Sequence, residues 1–259
     1  MPLRTPQEIQ QTAFEAGINK AKRPIGRLIV GSVLAGAFIA LGGVLSIITG
    51  YGLPELTAGN PAVQRIVSGL FFPIGLMLVV VLGADLFTGN NALLVSPLLK
   101  RQLGIGTVAK NWCIVWAGNF VGALLVAYFL VYLTGITAAA PYSTALNTIA
   151  VAKTSAPWWV VMLKGIGANW CVCLAIWLAL SGRHLGEKLL ACEIPIMAFV
   201  ALGFEHCVAN MFFLPLAMMQ GAPIGIADMM LRNILPATIG NIIGGAILVG
   251  LAHDYLQRK

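Results

Sequence analysis

Two octapeptides hold the side chains most able to do chemistry. Gly83-Ala84-Asp85-Leu86-Phe87-Thr88-Gly89-Asn90 and Gly203-Phe204-Glu205-His206-Cys207-Val208-Ala209-Asn210 share one frame: Gly, one residue, a carboxylate, three residues, a small residue, then Asn. The first copy adds Thr88 and the second adds His206. Both lie inside long apolar stretches, the second running from about Leu189 to Met219. An ionisable group at that depth costs roughly 2.5–3.5 kcal/mol on insertion scales, so it marks a structural or functional device. For Asp85 and Glu205 the expected device is a cap, the carboxylate accepting backbone N–H groups freed where a helix breaks. For His206, beside a carboxylate at the midplane of a broken helix, a functional role is expected rather than that of a satisfied core residue. An acid–base enzyme would need a nucleophile or metal ligands converging on this pair, and the sequence holds no motif for either.

The rest of the chain has to place these groups inside a membrane. Of the 259 residues 59% are hydrophobic and 10% charged, with a mean hydropathy of +0.88. A soluble domain carries charge on about 25% of its residues, so this composition indicates an integral membrane protein. The net charge of +7 forms no basic stripe with interleaved aromatics, which argues against a nucleic-acid partner. The five cysteines, Cys113, Cys171, Cys173, Cys192 and Cys207, sit in apolar segments without a CxxC and are expected to be small buried side chains rather than metal ligands or disulfides. No cofactor site is read from the sequence.

Residues 1–27 are expected to form a polar N-terminal segment. Thr5-Pro6-Gln7-Glu8 has the pattern of a capping box with Pro in the first turn, opening an amphipathic helix with Ile9, Ala13, Phe14 and Ile18 on one face. Six spans follow. The first covers about Leu28 to Ile48. From Val63 to Leu99 the chain is apolar for over thirty residues, and a straight helix of that length would reach roughly 50 Å, against a hydrocarbon core of about 30 Å. It must break, with Pro73, Gly83, Gly89 and Pro97 as candidate breakers and Asp85–Thr88 as the expected site. Irregular backbone at that depth is tolerated only where protein buries it or where it lines a cavity. The third span ends near Tyr132, Ile136 to Trp159 reads as a connection, and the fourth runs to Ser181 with Lys164 and Asn169 in it. The fifth, with Pro195 and Pro215 around the Glu205–His206 stretch, is expected to be broken too. The sixth covers Asn233 to Ala252, and its glycines from Gly240 to Gly250 predict close helix packing, with another subunit as one candidate partner. Asn60-Pro61-Ala62 matches the tripeptide of water channels, but their mechanism needs two copies at half-helix ends, and this one copy reads as a turn.

Twelve of the 16 basic residues gather at the termini and in the second and fourth loops, whereas Arg65, Lys153 and Arg232 lie opposite. The positive-inside rule then places both termini in the cytoplasm. The octapeptides are 120 residues apart, and Asn111…Gly118-Asn119-Phe120-Val121-Gly122 matches Asn233…Gly240-Asn241-Ile242-Ile243-Gly244 at an offset of 122. Three spans per repeat turn the second copy upside down, as in transporters built from inverted repeats with broken helices. The fold class expected is therefore all-α, a single transmembrane domain over residues 1–259, with repeats at 28–132 and 157–252.

Gly83–Thr88, Lys164-Gly165…Asn169-Trp170, Gly203–His206 and Pro236-Ala237-Thr238-Ile239-Gly240-Asn241 together resemble the formate/nitrite transporter family over nearly the whole chain. The resemblance implies a homopentamer in the cytoplasmic membrane, each protomer holding an aquaporin-like pore. It implies His206 at the pore centre with Thr88 facing it, Phe72, Leu76, Leu86 and Phe199 as apolar constrictions, and Lys153 in the outer vestibule. It also implies Asn169 and Asn241 along the route, Asp85 and Glu205 bracing the loops, and an N-terminal segment that gates the cytoplasmic mouth. Physical chemistry is consistent with it: a bare anion in an apolar slit loses its hydration, while a histidine between the slits can hydrogen-bond the anion or lend it a proton. Formate is the first substrate choice, with nitrite second and hydrosulfide a further relative. A neutral-solute channel of the aquaporin type is the rival from another class, but it would have no use for a central histidine between basic vestibules.

Overall fold

The computed structural model describes residues 3–57 and 59–258; Lys259, one of the basic residues assigned to the termini, lies outside them. The elements are α1 (Pro6–Ala21), α2 (Ile25–Tyr51), α3 (Pro61–Leu82), α4 (Phe87–Leu93), α5 (Val95–Leu99), α6 (Ile105–Tyr132), α7 (Tyr142–Ser155), α8 (Trp158–Ser181), α9 (Leu185–Ala201), α10 (Cys207–Met219) and α11 (Asp228–Leu256), with a single helical turn at Pro54–Thr57. Among the described residues α2, α3, α6, α8 and α11 are long and apolar enough to cross a bilayer. The remaining crossing is made in two pieces, α9 and α10. This is the expected all-α architecture of six spans, the second and fifth of them broken.

Both breaks have the same local cause. Gly83 (φ 72°) and Gly203 (φ 69°) adopt the left-handed conformation that a side chain disfavours, ending α3 and α9. Ala84 N–H then closes back on Val79 O at 3.0 Å, and Phe204 N–H on Phe199 O at 3.2 Å. The irregular backbone is shorter than expected and shifted toward the N-terminus, because Thr88 already belongs to α4. Gly89, Pro195 and Pro215 lie inside helices and break nothing, while Pro97 follows the interruption at Leu94 that separates α4 from α5 and Pro73 follows the bend of α3 at Phe72. The Asn60-Pro61-Ala62 tripeptide starts a helix, with Pro61 at its first position.

The N-terminal capping box is present, Glu8 N–H bonding Thr5 Oγ1 at 3.3 Å and Thr5 N–H bonding Glu8 Oε2 at 2.7 Å. Helix α1 lies against α4, α5 and α8 and buries Gln10, Ala13 and Gly17. The segment read as a connection, Ile136 to Trp159, contains α7. Cys113 is exposed, contrary to the expected burial, since it sits on the outer face of α6; the other four cysteines are buried or half-buried, and all five are free.

The spans approach one another through glycines. A Cβ on Gly240 would run into the Met162 carbonyl of α8, one on Gly165 would come within 2.9 Å of Ala237 O, and Gly36 and Gly122 play the same parts between α2 and α6. The glycine-rich sixth span thus packs on α8 of its own chain. Gly240→Val should destabilise the fold by about 1–3 kcal/mol through overpacking, read as a lower thermal unfolding midpoint in detergent. Gly26→Val, where a Cβ meets nothing within 4 Å, should leave the midpoint nearly unchanged.

Candidate functional site

The two breaks meet at the centre of the molecule. Thr88 Oγ1 and His206 Nε2 lie 3.0 Å apart, and both residues are buried. His206 is also the N-cap of α10, its Nδ1 accepting Ala209 N–H at 3.1 Å. That bond fixes the tautomer: Nδ1 is bare, so Nε2 holds the hydrogen and donates to Thr88. The Thr88 hydroxyl, accepting from the imidazole, keeps its own hydrogen for a further partner.

Asn119 and Asn241 hold this backbone in place. Asn119 accepts Phe87 N–H at 2.8 Å and donates to Ser32 O and Asp85 O at 2.7 and 2.9 Å. Asn241 accepts Cys207 N–H at 2.9 Å and donates to Gly165 O and Glu205 O at 2.8 and 2.9 Å. Asp85 N–H and Glu205 N–H close onto Gly31 O (3.1 Å) and Lys164 O (3.3 Å). The freed backbone groups are therefore satisfied by asparagine amides and by the neighbouring spans.

The carboxylates are not caps, which corrects the expectation. Asp85, fully buried, accepts Lys20 Nζ at 2.9 Å and pairs with Arg23, both contributed by the N-terminal segment. Glu205 accepts Lys153 Nζ at 2.9 Å and the amides of Asn210 and Asn233 at 2.7 and 3.2 Å. A carboxylate in a nearly dry site gains more from a full positive charge and several donors than from one backbone N–H. Burial pulls the Lys20 ammonium below the ordinary lysine pKa, and Asp85 opposes that shift. Lys20 and Lys153 are equivalents: Asn111 donates to Lys20 O and Asn233 to Lys153 O. The duplication thus takes in α1 and α7 as well as the spans.

A cavity of about 190 Å³ opens on the α7 side, lined by Phe72, Phe199, Arg65, Lys153, Asn210 and His206. Another of about 160 Å³ opens on the α1 side, lined by Leu86, Val79, Ile176, Lys20 and Asn90. The His206–Thr88 pair lies between them. Phe72 and Phe199 meet edge to face at 5.6 Å, with the Phe199 and His206 rings 5.9 Å apart. Leu76 is buried and lines neither cavity. Nor do Asn169 and Asn241 line them; the Asn169 amide donates to Asn241 O at 2.6 Å and Thr88 O at 3.1 Å. Asn90 and Asn210, one in each cavity wall, each leave an amide oxygen without a partner.

A family model described as formate/nitrite transporter matches residues 7–255. The chain belongs to the formate/nitrite transporter family. An uncharacterized transporter of Bacillus subtilis (YrhG) is 42% identical over all of this chain and 96% of that protein. A probable formate transporter of Methanothermobacter thermautotrophicus is 40% identical over 93% of this chain and 92% of its own. Among solved structures, a pentameric formate channel with formate bound superposes with a TM-score of 0.79 at 26% identity, covering 91% of this chain and 98% of that one. As a family member the chain is a multi-pass membrane transporter or channel with the aquaporin-like inverted repeat, and its family is not one of enzymes.

Sequence reasoning passed over Lys20, Arg23, Asn90, Asn111 and Asn119 as site residues. A signal existed for Lys20, since it stands four residues before Pro24 as Lys153 stands four before Pro157. Each asparagine also shares its offset with a partner in the other repeat.

Replacing Asn241 by Leu takes the side-chain partner from the Cys207 N–H and the Glu205 carbonyl in a dry interior, and the second bond from Gly165 O, which keeps its helical one. At about 1–3 kcal/mol per orphaned group, the variant should unfold at clearly lower temperature than wild type. Asn119→Leu should do the same, with matching loss of thermal stability in detergent. Lys153→Met, which strands the Glu205 carboxylate, should cost about 3–5 kcal/mol, and Lys153→Met/Glu205→Gln should recover part of the loss.

Proposed function

We propose that this member of the family is a homopentameric channel for small monovalent weak-acid anions, formate first and nitrite or hydrosulfide next, with one pore per protomer. The observation that carries the reading is the buried His206–Thr88 pair between two cavities, each with a lysine at its rim and an apolar residue toward the centre. Similarity to a pentameric channel with formate bound supports both substrate class and assembly. The proposed route runs past Phe72 and Phe199 on one side and Leu86 on the other, with Leu76 behind the first pair and Asn169 and Asn241 bracing the backbone beside it. Basic residues are concentrated on the α1 side, so both termini are assigned to the cytoplasm of a cell whose inner membrane the channel spans.

The mechanism follows from the dry slits and the tautomer. A charged anion gathers at Arg65 on the α7 side, since Lys153 is balanced by Glu205, and on the α1 side at Lys20 and Arg23, whose two charges exceed the one of Asp85. Crossing an apolar slit as an ion is costly, so the species that passes is the neutral acid, the fraction of substrate that has taken up a proton from hydronium at the prevailing pH. At the centre Nε2–H of His206 and the Thr88 hydroxyl supply hydrogen bonds to it. Lending a proton from an imidazolium would need a hydrogen on Nδ1 as well, at the expense of the Ala209 bond. The neutral donor role is the one the geometry favours.

Flux into proteoliposomes tests this, with formate, nitrite and hydrosulfide offered from mildly acidic to neutral pH. Wild-type flux should rise on the acidic side, because protonated substrate becomes more abundant. His206→Asn keeps an N-cap acceptor but cannot reach Thr88, and should be slower by on the order of tenfold at all pH values. His206→Phe should be at least as slow and also less stable. If none of the anions moves, or both variants match wild type at every pH, the histidine serves the helix cap alone and this channel mechanism is wrong. A neutral-solute channel would instead pass water or glycerol in the same vesicles and leave the anions outside.

A further inference from the structure

Two neighbouring spans, α6 and α11, part on the outer face of the molecule. There a groove of about 430 Å³ opens, walled by Trp112, Cys113 and Trp116 of α6 and by Leu235 and Ile242 of α11, with Phe87 as its floor. Its polar groups are already used. Trp116 Nε1–H donates to Thr238 Oγ1 at 3.1 Å, and Trp112 Nε1–H turns inward to Asn90 O at 3.3 Å. A polar ligand would find almost nothing to bind. Leu235 is nonetheless 45% exposed and Cys113 is exposed, so something apolar has to cover the groove. Lys110 stands next to the lining residue Ala109, about 8 Å along α6 from its first residue, on the side of the molecule that carries α1. It is exposed, and among the described residues no hydrogen bond or ion pair engages it. A lysine that close to a helix end extends its ammonium to the headgroup layer.

We propose that this groove binds one acyl chain of an anionic phospholipid, whose phosphate pairs with Lys110. Three features select this occupant. The groove runs along two membrane-spanning helices, its apolar lining matches a hydrocarbon chain and not a headgroup, and an unpaired cation sits at the end where a headgroup would lie. The chain would press on Phe87, which stacks edge to face on Trp112 at 6.5 Å and follows Leu86 at the break. A bound lipid therefore touches the same backbone that carries Thr88, from behind.

Native mass spectrometry of the detergent-purified full-length oligomer tests this, with phosphatidylglycerol or phosphatidylcholine added back. Wild type should retain one phosphatidylglycerol per protomer and hold phosphatidylcholine more weakly. Ala109→Phe, which fills the groove from an exposed position, should bind phosphatidylglycerol roughly tenfold more weakly, with the oligomer intact. Lys110→Gln should keep lipid but lose the preference for the anionic one. Quenching of tryptophan fluorescence by acyl-brominated phosphatidylglycerol supplies a second readout, strong in wild type and reduced in Ala109→Phe. Leu235→Trp replaces Ala109→Phe in the mass measurement if that variant does not fold. The proposal is overturned if wild type holds no lipid, if filling the groove leaves retention unchanged, or if Ala109→Phe separates the protomers while wild type is lipid-free, the result expected of a neighbouring copy seated in the groove.

Discussion

A helix broken inside a bilayer frees backbone N–H and C=O groups where no water can reach them, and this constraint organises the whole molecule. In hydrocarbon each such group costs several kcal/mol when unpaired. Asn119 and Asn241 answer it with the same triad of bonds, one acceptor and two donors, one residue for each break. Because the amides reach across from α6 and α11, the breaks can form only when those spans are packed beside α2 and α8. Gly36, Gly122, Gly165 and Gly240 allow that approach. The carboxylates then follow from the backbone. With Asp85 and Glu205 pointing into dry protein, each needs a cation, and α1 and α7 bring Lys20 and Lys153 to them.

Much of this was legible from residue order. The excessive length of the second apolar stretch required a break, and the matching octapeptides required a duplication of odd span number. Glycine at the head of each octapeptide located both breaks, since a left-handed residue is the cheapest way to end a helix and turn the chain. The proline candidates divided: Pro73 and Pro97 each follow a short interruption, at Phe72 and Leu94, whereas Pro195 and Pro215 lie in the interior of continuous helices, so a proline alone did not locate the breaks.

What could not be read was the identity of partners. A buried carboxylate predicts that something stabilises it, yet its chemistry alone does not say whether a backbone amide or a distant lysine does so. Lys20 is 65 residues from Asp85 and Lys153 is 52 from Glu205, so only folding joins them. Helix α7 was hidden as well, because its mixed composition resembles a loop and its equivalence to α1 runs at an offset of 133, unlike the 120 and 122 of the other pairs. The different offsets arise from unequal connections and mask a repeat that the hydrogen bonds make plain.

The places where the two repeats disagree are then the ones the fold does not explain. Superposed frame on frame, Leu86 corresponds to His206 and Thr88 to Val208. One break therefore puts an apolar side chain where the other puts an imidazole. At Leu86 the start of α4 has no side-chain cap, whereas His206 caps α10 through Nδ1. The first repeat shows that a leucine suffices to build a stable break at this position. The cap by itself is thus a weak reason for a polar ring at this buried position, since Asn or Ser would supply it with a smaller group. What the imidazole adds is its far nitrogen, carried across to Thr88, itself the polar member where its counterpart is valine. Two departures from symmetry meet each other at 3.0 Å, beside cavities lined by Phe72, Phe199 and Leu86, and the proposed passage of a solute that needs hydrogen bonds at that depth would account for both together.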